Sequence, residues 1–205
     1  MSRAWLLTHP EVAIDPAVAV TEWGLSPRGR ARAEALARLP WVRGLRHIAS
    51  SAERKAWETA ECLAAATGLA VHVHPALGEN DRSATGYLPP PEFEAVADAF
   101  FARSTESVRG WERAVDAQAR MVAAVEAVLA ESTGEVAIVA HGAVGALLLC
   151  HLAGRPISRA EDQPGRGGGN LYSFTRAERR LLQGWTSFEA AGEATGEAAG
   201  LLPGS

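Results

Sequence analysis

Apolar positions along the chain fall into short runs that alternate with longer stretches of helical spacing. The run from Ala4 to Leu7, closing on Thr8 and bounded by Pro10, predicts a buried strand whose last residues enter a loop. After a loop carrying Pro16 and Trp23, Ser26-Pro27 has the form of an N-cap followed by a first-turn proline, predicting a helix to about Leu39 that Pro40 ends. HIASS, His47 to Ser51, predicts a second strand, with Ser51 placed to cap a helix that carries Ala56, Ala60, Leu63 and Ala64 and stops at Gly68. LAVHVHP alternates as a third strand. The stretch from Leu77 to Pro91, with its Asp, Gly and consecutive prolines, predicts an irregular loop.

Helices are predicted over about Pro91 to Ala102 and Gly110 to Glu131, the second with Val115, Met121, Val122, Val125 and Leu129 on its apolar side. Glu135 to Ala140 reads as a buried strand, and His141-Gly142 opens a helix through Leu152. The Gly-rich segment PGRGGGN then leads into two strands, LYSFT and RRLLQGW. Strands alternating with helices predict a three-layer α/β/α sandwich with a mainly parallel sheet, in which ligands sit outside the carboxyl ends of the strands. The expected organisation is one α/β domain over residues 1–189, with residues 80–111 as a cap or lid, and a flexible tail over 190–205.

Composition narrows the function. With 47% hydrophobic and 21% charged residues in 205, the chain can build a full core. Twenty Lys and Arg against 24 Asp and Glu give a net charge of -4, which leaves no basic field for nucleic acid or an anionic membrane surface. The longest apolar run, AVGALLLCHLAG, is too short to span a bilayer, and the start of the chain has no secretory pattern. Cys62 and Cys150 lie in apolar surroundings and read as buried free thiols of a cytoplasmic protein. The alanines of the helix from Gly110 suit either close packing within the chain or a homodimer seam.

The predicted strand ends supply two imidazoles and several charges: LTHPE at His9, ASSAERK at Lys55, VAHGA at His141, and Glu79 in the loop after the third strand. A metal would want a further close ligand, which neither His47 nor His151 offers. His72 and His74 are explained by a half-exposed strand. No metal or cofactor is expected. The other chemistry open to these groups is attack of one imidazole on phosphorus, while the second imidazole and the cations hold the phosphoryl oxygens and a carboxylic acid protonates the leaving group.

LLTHPE, SSAERKAWETAE, LGEND and VAIVAHGAVGALLL, in this order along nearly the whole chain, resemble the motifs of the histidine phosphatase superfamily, the phosphoglycerate mutase-like proteins. LSPRGRARAEALA is similar to a further helix of that family, with Gly29 on its glycine. The resemblance implies a phosphoglycerate mutase-like fold, His9 as the nucleophile that becomes phosphohistidine, His141 as the second phosphate-pocket histidine and Glu79 as proton donor. Lys55 falls where the family has a pocket arginine. Thr8 stands in place of the arginine before the catalytic histidine, and Pro10 in place of a glycine. Arg54, Arg82 and Arg166 are candidates to replace the missing cation, Arg82 foremost because its loop follows Glu79. The phosphate-binding set is thus Thr8, Lys55, His141, Arg82 and Arg54. Gly167 to Gly169 read as a connector rather than an anion cradle, with Asn170 a weak contact beside them.

The reading that follows is a metal-independent phosphatase acting on a small phosphorylated substrate. A phosphomutase and a non-catalytic phosphate-ligand or protein-binding module, its site disarmed by Thr8, are the alternatives.

Overall fold

A computed structural model describes residues 2–192. Six strands form one sheet in the order β3-β2-β4-β1-β5-β6: β1 Arg3–Thr8, β2 Leu45–Ser50, β3 Val71–Val73, β4 Glu135–Ala140, β5 Asn170–Thr175 and β6 Leu181–Ser187. The first four in that order are parallel, and β5 and β6 add antiparallel neighbours beyond β1. The helices are α1 Pro27–Ala37, α2 Arg54–Thr67, α3 Pro90–Ala102, α4 Ala114–Glu131 and α5 Gly142–Leu152.

The alternation of side chains along the central strands explains the three layers. On β1, Ala4 and Leu6 join one core with Val136 and Ile138 of β4 and the buried faces of α3, α4 and α5. Trp5 and Leu7 point the other way and join Ala137, Val139, Leu36 of α1 and Leu63 of α2. Both faces of β1 and β4 are therefore dry, as a sheet covered by helices on both sides requires. Ala114, Ala117 and Ala124 are buried in the first core, so these alanines of α4 serve packing within the chain. Among the described residues no helix is long and apolar enough to cross a membrane.

Element positions depart from the sequence expectation where backbone geometry intervenes. Ser26 does cap α1, its Oγ accepting from Gly29 N at 3.0 Å. Ser51 does not cap α2: the N-cap is Glu53, and Ser51 Oγ instead accepts the Glu53 N–H at 3.0 Å and turns toward the strand ends. α4 begins at Ala114 rather than Gly110, because Gly110 takes a positive φ of 83° and Trp111 and Arg113 are extended, with ψ of 154° and 142°. The sequence pattern assigns no structure from 190 onward, whereas 188–192 form a helical turn in which Phe188 is buried and Ala191 packs on the second core. The remainder of that tail lies outside the described residues.

Two glycines set the approach of helices to the sheet. A Cβ on Gly145 of α5 would stand 3.0 Å from both Leu6 of β1 and Trp185 of β6, so the helix sits close over the end of β1. A Cβ on Gly29 of α1 would stand 2.1 Å from Glu11 O, the carbonyl that receives the Ser26 N–H at 2.9 Å. Gly29→Ala is expected to lower stability by about 1–3 kcal/mol, because backbone rather than a movable side chain blocks the methyl. Urea unfolding with an unchanged midpoint would show that the loop after β1 yields more freely than this contact implies.

Candidate active site

Parallel pairing of β1 with β4 sets Thr8 beside Ala140, so the next residues, His9 and His141, leave the sheet side by side. Their rings meet edge to face with centroids 5.2 Å apart. Both backbones are held: His9 N–H donates to Ala140 O at 3.3 Å, and His9 O accepts from Gly169 N–H at 3.0 Å. A Cβ on Gly168, at φ +67°, would stand 2.1 Å from His9 O, so the glycine run is a backbone support pressed behind His9 rather than a loose connector. Arg32 of α1 ties this support together, bonding Glu11 Oε2 at 2.9 Å and Gly168 O at 3.1 Å.

The tautomer of His9 follows from its neighbour. Nδ1 lies 2.9 Å from Pro10 O, a group that can only accept, so Nδ1 carries the proton and Nε2 presents a lone pair. Burial pushes the His9 imidazole down to about 4, and the Lys55 charge and, less strongly, Arg82 add to this, against the Pro10 bond and the Glu53 carboxylate. His9 is therefore neutral at pH 7.

His141 is fully buried, and its Nε2 lies 2.8 Å from Ser51 Oγ and 3.4 Å from Glu53 Oε1. Its Nδ1 is buried with no hydrogen-bond partner among the described residues. Burial holds this imidazole well below the usual range, reinforced by His9, Lys55 and Arg82 and opposed by Glu53.

Lys55, in the first turn of α2, is 3% exposed, and its ammonium pairs with Glu53 and donates to Val20 O at 2.8 Å. Burial works against ionisation of Glu53, but the His141 ring, the Lys55 ammonium and the N–H of Glu79, which donates to Glu53 Oε1 at 2.8 Å, outweigh it and bring the carboxyl to about 2. Sequence reading passed over Glu53, although it stands inside the segment SSAERK, an acidic residue just ahead of the helix start. Only the fold shows that this carboxylate faces His141 as well as Lys55.

Glu79 reaches the site from the loop after β3. Its Oε2 accepts Ala143 N–H at 3.3 Å and its Oε1 accepts Val144 N–H at 3.1 Å, so it caps α5 from a distant segment while the ring of His141, the N-cap residue, takes no part in the capping. Arg120 of α4 clamps this loop by its carbonyls, donating to Ala76 O at 2.7 Å, Gly78 O at 3.0 Å and Glu79 O at 3.2 Å.

Arg82 lies with its guanidinium carbon 5.2 Å from the Phe93 ring centre and 5.5 Å from that of Trp111, and one nitrogen 4.0 Å from Glu79 Oε2. The structure thus brings Arg82 to the group formed by His9, His141, Lys55 and Glu79. Arg54 is directed elsewhere: its Nε bonds Glu58 Oε1 at 2.8 Å, and Glu58 is engaged with Leu25 N–H and Arg30. Its expected place among the phosphate ligands is therefore corrected; a helix-start arginine one position before Lys55 faces the outer side. Arg166 is exposed.

Thr8 is completely buried and faces away from solvent into a polar knot, bonding Gln163 Oε1 at 2.7 Å and accepting Asn170 N–H at 3.0 Å. Gln163 carried no sequence signal, being 155 residues from its partner in an irregular loop. His47 and His72 stack with ring centres 4.3 Å apart, and His74 Nε2 lies 3.7 Å from Glu131. Among the described residues no group of three or more His, Cys, Asp or Glu is placed to hold a metal ion.

The model of the histidine phosphatase superfamily, branch 1, matches residues 5–183, and the chain belongs to this superfamily. Among solved structures it is similar to the mycobacterial glucosyl-3-phosphoglycerate phosphatase in complex with inorganic phosphate, at 27% identity and a TM-score of 0.71, covering 94% of this chain and 99% of that one. At lower identity it shares its fold with Bacillus stearothermophilus YhfR (21% identity, TM-score 0.73, 89% of this chain and 95% of that one). The same holds for a mutant phosphoserine phosphatase from Entamoeba histolytica in complex with phosphoserine (16% identity, TM-score 0.71, 93% of this chain and 99% of that one). No curated protein matches the chain.

The depressed His9 ionisation is directly measurable. NMR titration of the ring carbon protons is expected to give a His9 midpoint near 4, and Lys55→Met is expected to move it up toward 6.5 by removing a facing positive charge while leaving Glu53. A midpoint near 6.5 in the wild type would mean that water and counterions reach this imidazole freely.

Proposed function

We propose that the chain is a phosphatase that hydrolyses phosphomonoesters through a phosphohistidine on His9. The observation that carries this reading is the fixed tautomer of a neutral imidazole: Nδ1–H is committed to Pro10 O, and Nε2 is left with an unprotonated lone pair beside His141.

In the first step Nε2 of His9 forms a bond to phosphorus as the ester P–O bond breaks, and Glu79 gives its proton to the departing oxygen. In the second step water attacks the phosphohistidine, its proton passes to Glu79, and the P–N bond breaks to release inorganic phosphate. Lys55, His141 and Arg82 hold the phosphoryl oxygens, where charge must be neutralised as the group transfers. The Lys55 ammonium is available to a phosphoryl group only in competition with Glu53. Neither step as written calls for a metal or a cofactor. The two free thiols accord with a cytoplasmic protein, and the substrate is a small phosphorylated molecule. Residues 80–111 act as a cap over the site, contributing Arg82 and Trp111, on a single domain over 1–189. A homodimer is compatible with this reading and contributes no residue to it.

Two observations favour a second reading, a phosphate-binding module without turnover: Thr8 offers no charge, and the buried cation Lys55 is already paired with Glu53. Loss of one fixed donor to the transferring group costs about 100-fold or more.

Steady-state hydrolysis of p-nitrophenyl phosphate with EDTA present separates the two. The expected result is wild-type turnover that falls at least about 1000-fold in His9→Ala. Glu79→Gln is expected to slow esters of poor leaving groups more than the activated nitrophenyl ester, since only the former need a proton. Wild-type turnover no greater than that of His9→Ala would leave the binding module standing.

A further inference from the structure

The polar knot at the end of β1 has no part in the steps above, and its hydrogen bonds determine which way one amide faces. Pro164 O can only accept, so the Asn170 side-chain atom 3.2 Å from it is Nδ2; that Nδ2 also donates to Gln163 at 3.1 Å, which makes the receiving atom Oε1. Thr8 Oγ1 accepts the Asn170 N–H and passes its own proton to the same Oε1 at 2.7 Å. With two donors on Oε1, the Nε2 end of Gln163 is turned away from the knot. It has no acceptor among the described residues.

Nε2 lies against Gly142, where a Cβ would stand 2.4 Å from it. Gly142 directly follows His141, and Thr8 directly precedes His9. The amide is therefore wedged between the ends of β1 and β4 that carry the paired imidazoles, and it enters because residue 142 has no side chain. Its rotation is fixed by two donors, Thr8 Oγ1 and Asn170 Nδ2, the latter itself held by Pro164 O, so its N–H dipole is oriented before any ligand arrives.

We propose that Gln163 Nε2 donates to a phosphoryl oxygen beside His9 and His141, supplying as a neutral, fixed donor what the side chain at position 8 does not. The phosphoryl identity of the ligand rests on the function proposed above. The geometry also explains why position 8 is small: Thr8 Oγ1 is already 2.7 Å from Gln163, so a longer side chain there runs into the amide. Thr8 and Gln163 are thus one unit, and a charge introduced at position 8 reaches the pocket only when the glutamine is shortened.

The test is the dissociation constant of inorganic phosphate, followed by 31P NMR on the full chain in 0.5 M KCl, where charges that are only nearby are screened. Gln163→Glu keeps the oxygen that accepts from Thr8 and Asn170 but lacks the N–H; Gln163→Met keeps the length without either. Both are expected to weaken phosphate binding about 10-fold or more, Gln163→Glu with a thermal midpoint close to wild type. Thr8→Arg alone is expected to bind no better than wild type, and Thr8→Arg with Gln163→Ala to bind at least as well as wild type. Phosphate binding within twofold of wild type in both Gln163 variants overturns the proposal, as does a wild type that binds no phosphate. His9-dependent turnover measured on the same samples distinguishes the two claims. Turnover with Gln163-independent binding removes this inference alone. Gln163-dependent binding without turnover supports it while removing the phosphatase reading.

Discussion

The site depends on the parallel register that places Thr8 against Ala140, because that pairing alone makes the residues leaving two non-consecutive strands, His9 and His141, neighbours. An unsupported pair of strand ends would splay, and the backbone bonds from His9 to Ala140 and Gly169 prevent it. Gly168 and Gly169 are needed there for a steric reason, since the first has no room for a methyl against His9 O and both take positive φ. The closeness of α5 to β1, allowed by Gly145, fixes the other side. Rigidity of the backbone under both imidazoles matters because phosphoryl transfer gains mostly from positioning.

Around that frame the charges are arranged in pairs. Lys55 is buried against Glu53, and an unpaired buried ammonium at that position would carry a large desolvation penalty. The same carboxylate accepts the Glu79 N–H and faces His141, so one acidic side chain connects the β2–α2 junction, the loop after β3 and the start of α5. Arg82 is different in kind. It rests over the faces of Phe93 and Trp111, which hold a guanidinium without cancelling its charge. Arg82, with one nitrogen also 4.0 Å from Glu79 Oε2, thus brings positive charge to the pocket from the loop and cap side rather than from the sheet.

Much of the fold is legible in the sequence for reasons that can be named. The apolar runs of β1 and β4 are buried on both faces and bounded by Pro10 and by His141-Gly142, so period and punctuation agree. Ser26-Pro27 carries its own cap chemistry, and Gly68 stops α2 in the left-handed conformation expected of it. Reading fails where a local signal has a competing tertiary use. Ser51 has the residue type of a cap but is drawn to His141, and the alanines after Gly110 continue a helical pattern that the positive φ of Gly110 and the extended Trp111 and Arg113 interrupt.

The candidate site divides along the same line. His9, His141, Glu79 and Lys55 stand in short ordered motifs at strand ends, and their nomination needs only the chain order and the rule that parallel sheets gather chemistry at the carboxyl edge. The sequence by itself therefore determined the class of fold and the residues that gather at the strand ends, while the family and the nucleophilic role proposed for His9 come from the resemblance of its ordered motifs. Only the tertiary structure decided that Arg54 turns to Glu58 while Arg82 turns inward, that Glu53 neutralises Lys55, and that Gln163 meets Thr8 across 155 residues of chain. Those outcomes depend on side-chain direction and on contacts between segments far apart in sequence, and neither periodicity nor motif spacing carries that information.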